Sequence, residues 1–321
     1  MTWLVTGGAG YIGAHVVRAM VADGQSAVAL DDLSTGDRDR VDPGAAFEQG
    51  SVLDRPLVGR VLREHAVTGV VHIAAKKQVG ESVADPLLYY RENVAGLIAL
   101  LDGCRAEGVE RFVFSSSAAT YGLPDVALVD EDTPGVPLSP YGESKLIGEW
   151  LLRDCAAAYG LRVMSMRYFN VAGAASPELG DPGVFNLVPL VFQALAKGER
   201  PRVFGADYPT ADGTCVRDYV HVADIADAHL AAARALDDGA AAATYNIGRG
   251  EGSSVLEVLD VISRVTGQDI TPDIVERRAG DPARVVAAVD RIREGLQFTA
   301  QHDLDAMVRS AWEGWQLRHP A

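Results

Sequence analysis

Trp3-Leu-Val-Thr-Gly-Gly-Ala-Gly-Tyr-Ile-Gly13 decides the fold, because an apolar run passes through glycines spaced three apart straight into a helical pattern. Such a passage is a phosphate cradle. Gly7 can take the tight turn, Gly10 lets the backbone approach a pyrophosphate across Tyr11 and Ile12, and Gly13 lets the new helix pack close on its strand. The helix N-terminus then offers free N–H groups to an anion. With 33 glycines among 321 residues, a glycine turn that binds nothing is the plainer alternative, so the neighbouring residues must decide. Ile12, Val16, Val17, Met20 and Val21 share one helical face, Asp23-Gly24 ends the helix, and Ala27 to Leu30 form a second apolar strand closing on Asp31. An acid about 20 residues past the glycines is placed to accept hydrogen bonds from the hydroxyls of an adenosine ribose. That favours NAD over NADP, whose extra phosphate the carboxylate would repel. The competing reading of Asp31 and Asp32 is the start of a polar loop.

A chain of 321 residues with 48% hydrophobic content has room for one large α/β unit and a smaller second lobe. No apolar run approaches the roughly 20 residues that span a bilayer, and the N-terminus enters a strand directly, so a cytoplasmic protein is expected. Cys104, Cys155 and Cys215 are odd in number and far apart, which points to neither a disulfide framework nor a metal site. A net charge of −15 argues against nucleic acid and anionic membranes as partners. An anionic ligand would need a local basic pocket.

Beyond Asp32 and Leu33 a loop leads to Phe47–Val52, which reads as a short third strand with Ser51 and Val52 facing an adenine. Val70 to Ala75 reads as a buried parallel strand whose small end, Ile73-Ala74-Ala75, leaves room for a cofactor. His72 suits a core histidine. Lys76 and Lys77 follow at the strand's C-terminal end, where open α/β sheets place their ligands, although a surface lysine pair would look the same. A long helix is expected from Pro86 to Gly108, carrying Asn93, with Val94, Leu97, Ile98 and Leu101 as its apolar face. Arg111–Ser117 is a hydrophobic strand ending in three serines, which can also merely cap a turn.

Ser139-Pro140-Tyr141-Gly142-Glu143-Ser144-Lys145 opens a helix that continues to about Tyr159. Four-residue spacing puts Tyr141 and Lys145 on one face, where the ammonium can lower the phenol's pKa. Ten tyrosines and four lysines would yield only roughly 0.1 such pairs by chance, so the match carries information. Cradle, strand serines and the Tyr-Lys pair also follow in the order that brings them to one sheet edge.

These residues resemble the extended short-chain dehydrogenase/reductase family, and within it the UDP-glucose 4-epimerase family, over nearly the whole chain. The carriers are Thr6–Gly13, Asp31-Asp32-Leu33, Val79-Gly-Glu-Ser82, Phe114–Ala118, Ser139–Gly142, Arg167-Tyr-Phe-Asn170 and Arg217-Asp-Tyr-Val-His-Val222. Tyr208-Pro209-Thr210 before Asp212-Gly-Thr214 is the narrowest pointer. The resemblance implies a Rossmann-type doubly wound parallel sheet (1–170 plus 223–249) binding NAD, and a smaller α/β substrate-binding lobe (171–222 plus 250–321). It implies reversible C4 epimerisation of a UDP-hexose through a 4-keto sugar, with hydride lent to NAD and returned.

By that resemblance Tyr141 is the base, Ser117 bonds the same sugar oxygen, and Lys145 assists. Gly7, Gly10, Tyr11, Ile12, Gly13, Asp31, Asp32, Leu33, Ser51, Val52, Ile73, Ala74, Ala75, Lys77, Asn93 and Phe169 would line the cofactor with Tyr141 and Lys145. Lys77, Ser117, Tyr141, Asn170, Asn186, Leu187, Val203, Phe204 and Asp281 would meet the UDP-sugar. Arg217 and Arg278 match the family's diphosphate-binding arginines, the local basic pocket that net charge obscured. Two departures stand out: Ser51 replaces the usual aspartate at the adenine strand, and Ala118-Ala119-Thr120 moves a threonine by one position, leaving its help to Ser117 open. Counting five residues from Gly280 places Val285 at a gate beside the sugar, where a small side chain admits a 2-acetamido group. The family further implies a homodimer built on the Pro86–Gly108 and Tyr141–Tyr159 helices. A nucleotide-sugar 4,6-dehydratase is the enzymatic rival, but Ala118-Ala119 stand where it needs an Asp-Glu pair. A non-catalytic dinucleotide-binding redox sensor is the rival of another class, and it has no use for Tyr141 and Lys145.

Overall fold

The computed structural model describes residues 1–278 and 280–320, so Ala279 in the charged turn and Ala321 lie outside the described residues. The chain divides into two compact units, the first of Met1–Gly122, Pro134–Arg167 and Ile225–Tyr245, the second of Leu123–Thr133, Tyr168–Asp224 and Asn246–Ala321. The sequence reading leaves 123–133 with the first unit. It joins the second because Val129 bridges Ala287, its N–H donating to the Val286 carbonyl at 2.8 Å, and Glu131 accepts the Asn246 N–H at 2.7 Å.

The first unit opens with β1 (Thr2–Thr6), α1 (Tyr11–Ala22), β2 (Ser26–Asp31), β3 (Ala46–Gln49), α2 (Arg55–Glu64) and β4 (Gly69–His72). Three short helical pieces follow, α3 (Val79–Ala84), α4 (Pro86–Tyr89) and a π-helical turn over Tyr90–Ala95, before α5 (Gly96–Glu107), β5 (Arg111–Ser117), α6 (Pro140–Tyr159) and β6 (Arg162–Tyr168). The expected helix from Pro86 runs without a break to its left-handed cap at Gly108, but it contains that π-helical turn, and Ile98, expected on its buried face, is exposed. The cause is Asn93, which is pulled into the interior by tertiary hydrogen bonds described below. The remaining elements are β7 (Asn170–Ala172), α7 (Leu187–Ala196), β8 (Arg202–Phe204), β9 (Val216–His221), α8 (Val222–Asp237), β10 (Ala243–Ile247), β11 (Gly252–Ser254), α9 (Val255–Thr266), β12 (Asp273–Val275), β13 (Arg284–Val285), α10 (Asp290–Leu296) and α11 (Leu304–Arg318).

Seven strands form the main sheet in the order β10-β6-β5-β4-β1-β2-β3. β1 pairs in parallel with both β2 and β4, so the winding reverses between β1 and β4. That is the switch point at which doubly wound sheets bind ligands, and the sheet is Rossmann-type. Its strands are near-continuous apolar runs because helices flank them: Leu4, Val28, Leu30, Val70, Phe112 and Phe114 share one core with Val58, Leu62, Leu97 and Leu100 from α2 and α5. β3 stops at Gln49, short of the expected Phe47–Val52 strand, and β4 stops at His72, leaving 73–75 as loop.

In the second unit β9 is the hub, pairing antiparallel with β11 and parallel with β13 and β7. β8 and β12 make a separate parallel pair. Helices α7, α9 and α11 enclose a core in which the Phe192 ring lies 5.0 Å from Trp312 and 5.8 Å from Trp315. α9 begins on a capping box, Ser254 and Glu257 satisfying each other's backbone N–H groups, which fixes where β11 turns into helix.

Candidate active site

The glycine stretch folds as its residues require. Gly7 has φ +70°, a left-handed backbone that disfavours a side chain, and a Cβ there would lie 2.8 Å from the Ala74 nitrogen. A Cβ on Gly13 would lie 1.9 Å from the Gly7 carbonyl oxygen, so the α1 helix reaches its strand only as glycine. Gly10 caps α1 without any side-chain hydrogen bond, leaving the first-turn N–H groups around Tyr11 and Ile12 to a ligand. Asp31 ends β2 with one carboxylate oxygen on the Ala9 N–H at 3.0 Å and the other on the Leu33 N–H at 2.9 Å. Burial raises its pKa, with both N–H bonds acting against the rise. Leu33 itself has φ +59°, and the Asp32 carboxylate accepts the Ser34 N–H at 2.8 Å.

Around the switch point, Thr6 organises the loop after β4. Its hydroxyl meets His72 Nδ1 at 2.7 Å and accepts the Ile73 and Ala74 N–H groups at 3.2 and 3.3 Å. His72 is a core histidine as expected, stacked on Phe114 and kept neutral by burial that lowers its pKa to about 3. Ala75 is half-buried, and Lys77 is exposed with its Nζ 6.0 Å from the Tyr11 ring centre. Ser51 turns its hydroxyl to the Leu53 N–H at 3.1 Å, while Val52 is buried in the main core. Asn93 differs from expectation: its Oδ1 accepts the Lys76 N–H at 2.8 Å, and its amide donates to the Lys76 carbonyl and to Ser144 Oγ, each at 3.0 Å. With both amide hydrogens taken, Asn93 fastens the loop after β4 to α6.

The three serines of β5 each find a separate partner. Ser115 Oγ meets His229 Nε2 at 2.8 Å while its carbonyl accepts Lys145 Nζ at 2.8 Å. Ser116 Oγ donates to Glu149 at 2.5 Å. Ser117 Oγ accepts the Ala119 N–H at 3.2 Å and acts on the Tyr141 phenol, favouring its ionised form. Thr120, whose part the sequence leaves open, donates to the Ser117 carbonyl at 2.8 Å, so it fixes the serine's backbone. Ser139 caps α6 through the Gly142 N–H at 3.3 Å, and a Cβ on Gly142 would meet the Ala119 carbonyl at 2.6 Å, which seats Tyr141 against the serine turn.

Electrostatics here depart from the sequence expectation. In the protein alone burial pushes Tyr141 above the usual phenol range, and the opposing influence is Ser117 rather than Lys145. The reason is where the ammonium points: Lys145, 3% exposed, donates to the Ser115 carbonyl and lies 5.1 Å from the centre of the Phe114 ring. Burial lowers its pKa to about 8, against the raising influence of Glu149.

Glu149 escaped the sequence reading, although it continues the Tyr141, Lys145 spacing by another four residues. It forms a buried pair with Arg167 at 2.8 and 2.5 Å, and Arg167 in turn reaches the Tyr121 hydroxyl at 2.9 Å. Glu81 and Tyr89 were missed as a pair too: Tyr89 donates to Glu81 at 2.7 Å, accepts the Gln78 N–H at 2.8 Å, and sets its ring edge-on to Tyr141.

In the second unit Arg217 donates to the Val216 carbonyl at 2.8 Å and pairs with Asp281. Arg277 lies 4.1 Å over the Tyr208 ring and Arg278 3.8 Å over the Phe204 ring, so two neighbouring guanidiniums stack on two aromatics of the β8–β9 segment. Gly205, at φ +85°, makes room for Arg277. Val203 is buried beside Phe204 in β8. Tyr208 keeps a buried hydroxyl without a partner, and its phenol is raised by burial and by Asp281. Val285 pairs with Arg217 in the β13–β9 ladder while Val286 is fully buried, so alternation leaves Val285 off the core face. Asn186 caps α7 ahead of Leu187 without a side-chain bond to the helix, its amide held by Asp181 at 3.3 Å. Phe169 is buried, and Asn170 is exposed opposite Tyr219. The Arg217–His221 motif is chiefly a brace: Asp218 accepts the N–H groups of Arg249, Gly250 and Ala287 at 2.8, 3.0 and 3.2 Å. Asp212 likewise serves its turn, accepting from Thr214 and from Ser254. No group of three or more metal-ligating side chains is present among the described residues.

Residues 3–248 match the NAD dependent epimerase/dehydratase family. A UDP-glucose 4-epimerase from Azospirillum brasilense is 46% identical over 318 residues, covering 97% of this chain and 91% of the relative. A UDP-glucose 4-epimerase from Brucella ovis in complex with NAD superposes with a TM-score of 0.94 at 40% identity, covering 98% of both chains. A UDP-glucose-4-epimerase from Stenotrophomonas maltophila, with bound NAD and formylated UDP-arabinopyranose, gives a TM-score of 0.96 at 40% identity and covers 99% of both.

Proposed function

Since the chain belongs to the NAD dependent epimerase/dehydratase family, we propose that it interconverts UDP-galactose and UDP-glucose at C4, using NAD that is bound and regenerated rather than consumed. The observation that carries this reading is the buried Tyr141 set near Ser117, with Lys145 one helical turn on, at the end of β5, one strand removed from the β1 glycine cradle in the same sheet. The cradle fits a dinucleotide, since glycine at 7 and 13 lets the β1–α1 turn close tightly on its own backbone and the α1 N-terminus is left without a side-chain cap. Gly7, Gly10, Tyr11, Ile12 and Gly13 would hold the pyrophosphate, Asp31 the ribose, and Ile73 to Ala75 the neighbouring face. NAD, when bound, supplies the redox chemistry by accepting the C4 hydrogen with its electron pair and giving it back.

The protein's own groups manage the proton. Tyr141 Oη takes the O4 proton as the sugar becomes a 4-keto sugar, then returns it to the same oxygen. Ser117 Oγ holds that oxygen, and Lys145 favours the phenolate. The UDP portion is assigned to the second unit, with Arg217 and Arg278 on the diphosphate and Asn186, Leu187, Val203, Phe204 and Asp281 around it. Arg217 must exchange Asp281 for phosphate, a trade between two anions that suits a planar guanidinium. Anchored there, the hexose can present either face of C4. Loss of water across C5 and C6 would need acids after Ser117, and Ala118 and Ala119 stand there.

Val285, small and paired with Arg217, supports acceptance of UDP-N-acetylglucosamine as well. A homodimer through the helices at 86–108 and 141–159 is supported by Leu87, 76% exposed, and Trp150, 47% exposed. Three free cysteines suit a cytoplasmic location. The test is direct: purified protein should carry NAD and convert UDP-galactose to UDP-glucose without stoichiometric NADH, and Tyr141→Phe should keep its fold yet lose turnover by about 10²–10⁴-fold. NADH accumulating in step with product would overturn the reading.

A further inference from the structure

Three residues of α6, at positions 141, 145 and 149, fall one turn apart on one helix face, and each engages a different serine of the β5 end. Ser117 favours the ionised form of Tyr141, Lys145 donates to the Ser115 carbonyl at 2.8 Å, and Glu149 accepts Ser116 Oγ at 2.5 Å. Only the last of these is clamped from behind. Arg167 on β6 holds both Glu149 oxygens, at 2.8 and 2.5 Å, and is itself held by the Tyr121 hydroxyl at 2.9 Å with its guanidinium 4.8 Å over the same ring. Both side chains of the Glu149–Arg167 pair are 9% exposed. A buried ion pair of this kind is weak evidence of stability, because desolvation offsets its attraction, so its retention beside Tyr141 and Lys145 asks for another reason.

We propose that Glu149 is a positioning residue that acts through Lys145: clamped by Arg167, it fixes the α6 face against the serine strand and supplies the negative charge that keeps the buried lysine an ammonium. The inference rests on the epimerase reading for its purpose, but not for its test. Around Lys145, α6 contributes Tyr141 and Glu149, β4 contributes neutral His72, β5 contributes the Ser115 carbonyl and the Phe114 ring, and β6 contributes Arg167 behind Glu149. Glu149 is thus the anion of that set. Burial alone would favour the neutral amine and loosen its hold on the Ser115 carbonyl, one helical turn from Tyr141; Glu149 opposes that loss.

The chain has only four lysines, so protein labelled with carbon-13 at lysine Cε gives four signals, and Lys145→Arg identifies the one that matters. Glu149→Gln should lower the Lys145 titration midpoint by about one pH unit, and Glu149→Asp, which keeps the charge, should restore most of it. In turnover of UDP-galactose, the alkaline limb of kcat should move down with the midpoint. An unchanged midpoint in folded Glu149→Gln, or a loss of turnover equal at every pH, would reduce Glu149 to packing and overturn the proposal. Glu149→Gln strands a buried arginine, so if it does not fold, the double variant Glu149→Gln/Arg167→Met is compared with Arg167→Met, the lost cation being common to both, and is read in the same two ways. Absence of turnover in the wild type would instead strike at the epimerase reading, leaving the titration to judge Glu149.

Discussion

Lys145 is a cation held where water scarcely reaches, and folding must bear that. Its pKa falls from 10.5 to about 8, so between those values the unfolded chain binds more protons than the folded one, and stability rises with pH across that window. Below pH 8 the cost is present in full, about 3 kcal/mol, less roughly 1 kcal/mol for its hydrogen bond to Ser115. Lys145→Met is therefore expected to raise the urea midpoint at pH 7 while abolishing most turnover, with the gain shrinking as pH climbs toward 10. A midpoint at pH 7 below that of the wild type would refute the sign. Val285 poses the opposite question, of space rather than charge. Filling its position with tyrosine should disfavour the acetylated sugar by about 1–3 kcal/mol, roughly 5- to 150-fold in kcat/KM relative to the plain sugar. If Val285→Tyr leaves the ratio of the two substrates unchanged, the gate lies elsewhere.

At the scale of elements, the β1–α1 junction is the least tolerant, because its close approach is backbone against backbone. Gly13→Ala drives a Cβ onto the Gly7 carbonyl, and an overpacking cost of about 1–3 kcal/mol with loss of bound NAD is expected. Gly80→Ala in α3, where a Cβ meets nothing within 4 Å, should change stability by no more than about 0.5 kcal/mol. Denaturant midpoints and the nucleotide content of the purified proteins check both; equal changes at the two positions would show that close approach does not set the cost at Gly13. The same contrast explains what the sequence makes legible. β1, α1, β2, β5 and α6 are readable because period and punctuation are local: Asp23-Gly24 stops α1, and Ser139-Pro140 starts α6. The π-helical turn at Tyr90–Ala95 is not, since Asn93 is drawn inward by Lys76 and Ser144, 17 and 51 positions away. Nor is the allegiance of 123–133, set by Val129 meeting Ala287. Within the candidate site, the Tyr141 and Lys145 pair stands out by residue type and spacing, while Ser117 is singled out from its neighbours only by the family resemblance. Glu149 does not stand out, because an acid on a helix reads as solvated until Arg167 on another strand is seen to hold it.

For the whole molecule, a charge of −15 drives copies apart, so association needs an apolar face large enough to outweigh that repulsion. Val79, Val83, Leu87 and Trp150, each about half exposed or more, are the residues with which the proposed dimer would have to build it. Light scattering should give twice the chain mass at micromolar concentration, falling to one chain mass in Leu87→Glu; a wild type of single-chain mass would refute the dimer. The path of the chain carries a further consequence. It passes from one unit to the other five times, and the outermost strand of the main sheet, β10, comes last, at Ala243–Ile247. A ribosome therefore makes three-quarters of the protein before that sheet can be completed, and until then β6 is an open edge, ready to pair with another nascent chain. The growing polypeptide is most in need of a chaperone between the emergence of Tyr168 and that of Ile247, and a message truncated anywhere in that interval should yield aggregates rather than a smaller working domain.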